Sequence, residues 1–286
     1  MSRWHSRRER FRSVLFGSTC VYPGSVFDPI SARIAQDLGF EVGMLAGSVA
    51  SMTVLGAPDL IVLTLSEFAQ QAHRICRAAS LPLLCDADHG YGNALNVMRT
   101  VEELETAGVA GLSIEDTDLP GPYGSAGNAR LLSLEEGVGK MRAALAARQD
   151  PGLVITGRTS APSITGMADA IARARAYEAA GVDAIFLVGI KSRADVDALA
   201  QQVKLPLILG GAGKELMDRE WLAAHGVRVC LQGHQPFAAS VRAVYDTLRA
   251  LREGTPPEKI DTAASDELMK RVTRSEEYAR WMKEWL

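Results

Sequence analysis

The stretch AGVAGLSIED, residues 107–116, sets a pattern that returns along this chain. A glycine in the position that ends a helix is followed by a short apolar segment with the length of a buried strand. The same pattern occurs in LGFEVGMLAG (38–47), AGVDAIFLVG (180–189) and HGVRVCLQGH (225–234). Four further segments predict strands: YPGSVFDP (22–29), LPLLCDAD (81–88), GLVITGR (152–158) and LPLILGG (205–211).

Helical sequences separate these strand candidates, most clearly ALNVMRTVEELETAG (94–108) and ADAIARARAYEAAG (168–181). Their apolar residues recur at spacings of three and four, whereas the strands are apolar throughout, which favours parallel strands covered on both faces. Eight such units over roughly 230 residues fit an α/β protein with a (β/α)₈ TIM-type barrel. A doubly wound open sheet is the alternative.

We expect one barrel domain over residues 1–286, with an N-terminal helix in 1–19 and a helical tail at 258–286. The tail carries many large apolar side chains: Leu268, Met269, Tyr278, Trp281, Met282, Trp285 and Leu286. They would cover the barrel or a neighbouring subunit, and the second arrangement would make the protein an oligomer.

The composition indicates a small-molecule partner. The 286 residues are 47% hydrophobic, with a net charge of −3 and a pI near 6.0. This charge would not attract nucleic acid or an anionic membrane, and no apolar run approaches the ~20 residues that a membrane span requires. The four cysteines form no C-x-x-C pair, so we expect a reducing, cytoplasmic setting.

Polar residues follow the predicted strands, and the active site of a barrel lies at these C-terminal strand ends. The candidates are Ser25, Asp28, Ser48, Asp86, Asp88, His89, Glu115, Asp116, Arg158, Lys191, Lys214 and His234. The sequence has no G-x-S-x-G elbow and no H-E-x-x-H zinc helix, which argues against a serine hydrolase and a zincin.

Two acids, Asp86 and Asp88, lie two residues apart in CDADHGYGN (85–93), a spacing that points both side chains to one face of a strand. Uncompensated carboxylates there would repel each other, and a divalent cation would resolve this. Oxygen ligands favour Mg²⁺ or Mn²⁺ over Zn²⁺, with Glu115 or Asp116 as a further acid, directly or through water. Alternatively, these acids cap helices or pair with arginines.

Four motifs resemble those of the isocitrate lyase and phosphoenolpyruvate mutase superfamily: DADHGYGN (86–93), GSVAS (47–51), SIEDT (113–117) and GRTSA (157–161). Four segments are similar to its oxaloacetate decarboxylase branch: SVFDPISARIAQDLGFE (25–41), LSEF (65–68), DADHGYGNALNVMRTV (86–101) and EEGVGK (135–140). The resemblance spans most of the chain.

This resemblance implies a barrel enzyme that acts on α-keto or α-hydroxy carboxylates. It implies decarboxylation of oxaloacetate, or a similar β-keto acid, to pyruvate and CO₂ through an enolate stabilised by Mg²⁺, with Mn²⁺ as the other candidate ion. The expected partner is an α-keto dicarboxylate. Superfamily members usually form homotetramers by exchanging C-terminal helices between subunits, which would explain the apolar tail.

The resemblance also implies roles for residues of the metal and substrate site. Asp86 would bind the metal, while Asp88 and Glu115 would hold its waters. Arg158 would pair with carboxylate or keto oxygens, and His234 would contact the substrate.

The resemblance implies further residues for substrate binding and proton transfer. Ser48, with the backbone amides of neighbouring Gly47 and Val49, would bind the substrate carboxylate, and Tyr91 or a water would protonate the enolate. Superfamily lyases carry a K-x-C-G-H loop, whereas residues 118–133 contain no Cys, His or Lys. A cleavage of the (methyl)isocitrate type therefore lacks its proton-transfer group, but loss of CO₂ needs no base to begin.

Two other functions are consistent with the sequence. One is a C–C or C–P bond lyase or hydrolase of another α-oxo acid, of the oxaloacetate acetylhydrolase or phosphonopyruvate hydrolase type. The other is a barrel that binds a metabolite without turning it over, since GRTSA (157–161) differs from the more frequent ARTDA or ARTNA of the superfamily.

Overall fold

The computed structural model describes residues 4–125, 127–211, 213–261 and 263–286, and these residues form eight strands. The strands are β1 Gly24–Ser25, β2 Gly43–Leu45, β3 Leu83–Asp86, β4 Gly111–Glu115, β5 Val154–Thr159, β6 Ala184–Leu187, β7 Leu207–Leu209 and β8 Val227–Cys230. All neighbouring strands are parallel and follow one another in sequence order.

The sheet closes on itself between β8 and the residues before β1. Val21 forms a parallel bridge with Val229, and the amide of Cys230 donates to the carbonyl of Val21 at 3.0 Å. Sequential order with closure confirms the TIM-type (β/α)₈ barrel and excludes the doubly wound sheet, in which the strand order reverses.

Thirteen α-helices lie in the described part of the chain. They are α1 His5–Leu15, α2 Pro29–Asp37, α3 Gly47–Leu55, α4 Leu65–Ala78, α5 Ala94–Ala107, α6 Leu134–Ala147, α7 Ala161–Ile164, α8 Met167–Ala180, α9 Arg193–Ala200, α10 Arg219–Ala224, α11 Gln235–Arg252, α12 Asp266–Thr273 and α13 Ser275–Trp285. Within these residues, no helix has the length and apolar character needed to cross a membrane.

Helix α5 shows why local sequence sets the boundaries. Its first turn is capped by the Asn93 side chain, which accepts from the amides of Leu95 and Asn96 at 3.0 and 3.4 Å. It ends at Gly108, whose φ of 93° lies in the region that glycine adopts without strain. The glycine in AGVAGLSIED therefore ends a helix, as predicted.

Helix α1 closes the N-terminal end of the barrel. Phe11 and Leu15 are fully buried among interior side chains such as Met44. The guanidinium of Arg8 donates to the carbonyl of Val109, just before β4, at 3.1 Å. The barrel is thus filled from below and open at the C-terminal strand ends. Of the predicted N-terminal segment 1–19, residues 1–3 lie outside the described residues.

The last helices leave apolar surface exposed in the single chain. No residue of α11 is buried, and Val244, Tyr245 and Leu248 are about 60% exposed. By contrast, α12 is attached to α2, since Arg33 donates to the carbonyl of Val272 at 2.9 Å. Within the tail predicted at 258–286, Thr262 lies outside the described residues. That the exposed apolar surface of the last helices covers a neighbouring subunit remains a prediction.

Candidate active site

A cavity of about 380 Å³ opens at the C-terminal ends of the strands. Six residues predicted from the sequence line it: Ser48, Asp86, Asp88, Glu115, Arg158 and His234. Their positions follow from the fold, because β3, β4 and β5 end side by side and each contributes a charged residue. The cavity is where a barrel enzyme has its active site.

Arg158 lies between two of the carboxylates. Its Nη1 donates to Asp86, and its Nη2 lies 3.4 Å from Oε2 of Glu115. Burial disfavours its charge, but Asp86 and Glu115 outweigh this, so the pKa of Arg158 is raised and the side chain stays cationic. Hydroxyls of Ser113 and Thr117 donate to Asp86 and Glu115 at 3.1 and 3.0 Å. These bonds fix both carboxylates toward the cavity.

Asp88 is packed against the start of α3. A Cβ at Gly47 would lie 2.4 Å from Oδ1 of Asp88, so only glycine allows this approach. Burial raises the pKa of Asp88 strongly, and the charges of Asp86 and Glu115 raise it further. Three acids therefore share a poorly hydrated region with one arginine, and additional positive charge would allow all of them to ionise.

The structure adds Asp59, which sequence reasoning missed. It lies in the loop between α3 and α4 and lines the same cavity. Burial and the charge of Asp86 raise its pKa, while Arg158 and His234 lower it. No local signal in the sequence marks Asp59, because the residue follows a helix and does not stand at the end of a strand.

The cavity also has apolar lining residues. Leu60, Phe186, Val188 and Leu231 line it, and the Arg158 guanidinium lies 5.4 Å from the centroid of the Phe186 ring. Three polar residues that follow β4 also line the cavity: Asp118, Ser125 and Asn128. None of the described lining residues is a cysteine or a lysine.

His234 lies at the start of α11 and is oriented by the first strand. Its Nδ1 is 2.9 Å from the hydroxyl oxygen of Ser25, which is buried at the end of β1. Burial lowers the pKa of His234, although Asp86 and Asp59 oppose the change. The ring is thus favoured in its neutral form.

Several candidates lie outside the cavity. Asp28 caps α2 by accepting from the Ser31 amide at 2.6 Å, and Asp116 accepts from Arg173 and Tyr177 at 2.9 and 2.5 Å. For Asp116, the alternative of a pair with an arginine is therefore the one that the structure shows. Lys191, Lys214 and His89 also do not line the cavity.

Tyr91, which is partly buried, and Val49 do not line the cavity. The Tyr91 hydroxyl has no hydrogen-bond partner among the described residues, and its pKa is raised by burial and by Asp88. Val49 is fully buried, so only its backbone amide, like that of Gly47, could reach a ligand from the first turn of α3. Of Gly47, Ser48 and Val49, only Ser48 lines the cavity.

The motif EEGVGK (135–140) contributes no residue to the cavity lining, but its Lys140 contacts the loop that follows Asp88. Lys140 is buried on α6 and donates to the carbonyl of His89 at 2.6 Å, while Thr100 on α5 donates to the carbonyl of Gly90 at 3.0 Å. Burial lowers the pKa of Lys140. The segments EEGVGK and ALNVMRTV therefore support the loop that follows Asp88.

The donor chemistry of the cavity suits a hard divalent cation. Asp59, Asp86, Asp88 and Glu115 offer carboxylate oxygens and no sulfur, and their mutual repulsion calls for positive charge. In the described part of the chain, no three acidic, histidine or cysteine side chains are already arranged around one point for a metal. Asp86 and Glu115 instead face Arg158, so metal binding would require these carboxylates to share or release the guanidinium.

Known proteins match this chain along most of its length. Oxaloacetate decarboxylase of Bradyrhizobium diazoefficiens is 60% identical over 274 residues, covering 96% of this chain and 95% of that protein. The protein of the same name from Rhodopseudomonas palustris (strain BisB18) is 59% identical over 272 residues, covering 95% and 94%.

Solved structures share the fold. Phosphonopyruvate hydrolase in complex with oxalate and Mg²⁺ superposes with a TM-score of 0.85 at 28% identity, covering 98% of this chain and 99% of that one. Oxaloacetate acetylhydrolase in complex with 3,3-difluorooxalacetate gives 0.85 at 27%, covering 98% and 97%. The family model of phosphoenolpyruvate phosphomutase matches residues 11–252. The chain therefore belongs to the phosphoenolpyruvate phosphomutase family, as its four motifs predicted.

Proposed function

We propose that this protein decarboxylates oxaloacetate, or a closely similar β-keto acid, to pyruvate and CO₂. One observation carries the proposal: a cavity lined by five carboxylates and Arg158, but without a lysine or cysteine among its described lining residues. Such a site can stabilise a developing negative charge. Loss of CO₂ needs no base to begin, so the absence of a lysine and a cysteine does not prevent it. Relatives at 59–60% identity carry the name of this activity.

The substrate carboxylate next to the keto group is assigned to Ser48 and the first turn of α3. The amides at the start of a helix have no intrahelical acceptor and attract anions. The first turn of α3 consists of Gly47, Ser48 and Val49, and Ser48 lines the cavity. Arg158 is placed to pair with the keto oxygen or with a carboxylate oxygen.

We assign the acids to Mg²⁺, with Mn²⁺ as the alternative ion. Asp86 would be the direct ligand, and Asp88, Glu115 and Asp59 would hold its waters. When bound, the ion supplies positive charge at the keto oxygen, where negative charge develops as CO₂ departs. Arg158 contributes charge to the same region, and its raised pKa keeps it cationic throughout.

The other carboxylate leaves as CO₂, and we assign it to the apolar residues of the lining. Leu60, Phe186, Val188 and Leu231 offer it no side-chain hydrogen bond, and CO₂ is itself neutral. The enolate is then protonated. Water in the cavity is better placed for this than Tyr91, whose hydroxyl is buried outside the lining.

We also propose that the protein is a cytoplasmic homotetramer. Four buried free cysteines fit a reducing compartment. The exposed apolar face of α11 fits exchange of C-terminal helices between subunits. Light scattering of the purified protein would test the subunit count.

Release of pyruvate and CO₂ from oxaloacetate tests the main proposal. The assay compares Mg²⁺ with EDTA and subtracts the spontaneous metal-catalysed reaction, with oxalate as an enolate-like inhibitor. We expect a rate well above background that both EDTA and oxalate remove. A background rate would overturn the proposal.

The hydrolase alternative is motivated by the structural similarity to oxaloacetate acetylhydrolase and phosphonopyruvate hydrolase. Acetate and oxalate as products from oxaloacetate, or phosphate from phosphonopyruvate, would favour it. Tight oxalate binding by calorimetry without turnover of any of these substrates would instead favour a metabolite-binding barrel.

A further inference from the structure

The ring of His234 has one nitrogen committed to the protein. Nδ1 lies 2.9 Å from Oγ of Ser25, across 209 residues of sequence. Ser25 is buried at the end of β1, where its backbone is held in the sheet by pairing with Met44. Since Nδ1 is occupied, Nε2 is the ring nitrogen that remains for a ligand in the cavity that His234 lines.

The direction of this hydrogen bond decides what Nε2 can do. If the hydroxyl donates to Nδ1, the neutral ring carries its proton on Nε2 and is a donor toward the cavity. If Nδ1 carries the proton, Nε2 is an acceptor there. The two cases bind opposite kinds of ligand atom.

Two observations favour the donating hydroxyl. Asp59 and Asp86 line the same cavity as His234, so an N–H directed into the cavity is attracted by these carboxylates whereas a lone pair is repelled. In addition, Nδ1 is the sole hydrogen-bond partner of the Ser25 hydroxyl within the described residues, so an accepting hydroxyl would leave its own proton buried and unpaired.

We infer that Ser25 is a positioning residue that holds His234 in the Nε2–H tautomer, so that the ring presents a donor to a carboxylate oxygen of the dicarboxylate substrate. This inference rests on the proposed function for the identity of that substrate. Ser25 itself does not line the cavity and acts only through the ring.

The tautomer is measurable without any activity. The ¹⁵N shifts of the ring nitrogens in histidine-labelled protein, at a pH where the ring is neutral, distinguish a protonated from an unprotonated nitrogen. The chain has five histidines, and the signal lost in His234→Gln identifies the one of interest. We expect a protonated Nε2 in the wild type and a mixture of tautomers in Ser25→Ala. A protonated Nδ1 in the wild type would overturn the inference, even if Ser25→Ala failed to fold.

Kinetics supply the second readout. Ser25→Ala should raise the KM for oxaloacetate about tenfold with a smaller change in kcat, because the donor contacts the bound substrate before and during reaction. Ser25→Thr keeps the hydroxyl and should restore most of the loss. In His234→Gln the amide nitrogen replaces Nε2–H, so adding Ser25→Ala should change nothing further. Equal losses in both backgrounds would show that Ser25 acts on something other than His234.

Failure of the proposed function would look different. If the wild type releases no pyruvate, oxalate affinity measured by calorimetry replaces KM. A lower oxalate affinity in Ser25→Ala, but not in Ser25→Thr, would then support the inference. If pyruvate forms but Ser25→Ala binds and reacts like the wild type, the function stands and the inference falls.

Discussion

Arg158 on β5 donates through Nη1 to Oδ2 of Asp86 on β3, and β4 lies between these two strands. The carboxylate predicted to bind a metal is thus already paired with a protein cation. Because Ser113 donates to its other oxygen at 3.1 Å, Asp86 is held in place by both partners. This arrangement preserves the site without a metal and places Arg158 beside any ligand that the metal would bind.

Replacing Asp86 by Asn tests the metal assignment. We expect metal-dependent turnover to fall at least about a hundredfold, since the amide keeps the shape but loses the charge that binds the ion. The measurement is the decarboxylation rate as a function of Mg²⁺ concentration. Asp37→Asn is the matched control, because Asp37 does not line the cavity and pairs with Arg274 at an N–O distance of 2.6 Å. Unchanged Mg²⁺ dependence in Asp86→Asn would remove Asp86 from the site.

Replacing Arg158 by Met should couple stability to the metal. Without the guanidinium, Asp86 and Glu115 lose their cation, and breaking such a buried pair costs about 3–5 kcal/mol. In EDTA the Tm should therefore fall by several degrees, and Mg²⁺ should raise it more in this variant than in the wild type. Arg242→Met removes an exposed pair with Asp246 and should change neither value. Equal Mg²⁺ shifts in all three proteins would contradict a shared charge site.

Local sequence predicted the elements of the barrel, but the contacts that build the site are long-range. The cap Asn93 and the helix end at Gly108 depend on residues a few positions away. Ser25 meets His234 across 209 residues and Arg158 meets Asp86 across 72, so both contacts depend on how the barrel closes. For the same reason, spacing alone could not distinguish Glu115, which faces the cavity, from Asp116, which pairs with Arg173.

The cysteines should be unreactive at neutral pH. Burial raises the pKa of Cys20 to about 11 and that of Cys76 and Cys230 to about 12, and it raises that of Cys85 as well. The thiolate is the reactive form, so native protein at about pH 8 should react slowly with an alkylating reagent, and unfolded protein should react rapidly at all four thiols.

The same pKa values predict an alkaline loss of stability. Unfolded thiols ionise near the ordinary value of 9.0, whereas the folded ones hold their protons to about 11 or 12. Folding is therefore favoured by these groups below pH 9, and this contribution is lost as the pH rises through the folded values. Rapid alkylation of the native protein at about pH 8 would contradict both predictions, because the thiols would then not be buried.

Lys140 should affect the site without touching a ligand. Its ammonium donates to the carbonyl of His89 in the loop that follows Asp88. In Lys140→Met this carbonyl loses its partner, so we expect weaker Mg²⁺ binding and a turnover lower by about tenfold. Calorimetric Mg²⁺ affinity and the decarboxylation rate measure both effects. If the loss appeared only in Tm, Lys140 would serve the fold alone.

Gly47 tests the approach between α3 and Asp88 most directly. In Gly47→Ala the new Cβ would lie 2.4 Å from Oδ1 of Asp88, so either the carboxylate or the helix must move. We expect both a weaker affinity for Mg²⁺ and a higher KM for oxaloacetate, because Asp88 is assigned to the metal waters and the first turn of α3 to the substrate carboxylate.

Gly139→Ala is the matched control for this substitution. Gly139 is exposed within α6 and has open space where a Cβ would be added, so alanine should stabilise the helix by up to about 1 kcal/mol and leave both binding constants unchanged. A Gly47→Ala protein with wild-type Mg²⁺ affinity and KM would show that Asp88 can turn away from α3 without consequence. Asp88 would then have no role in holding the metal waters.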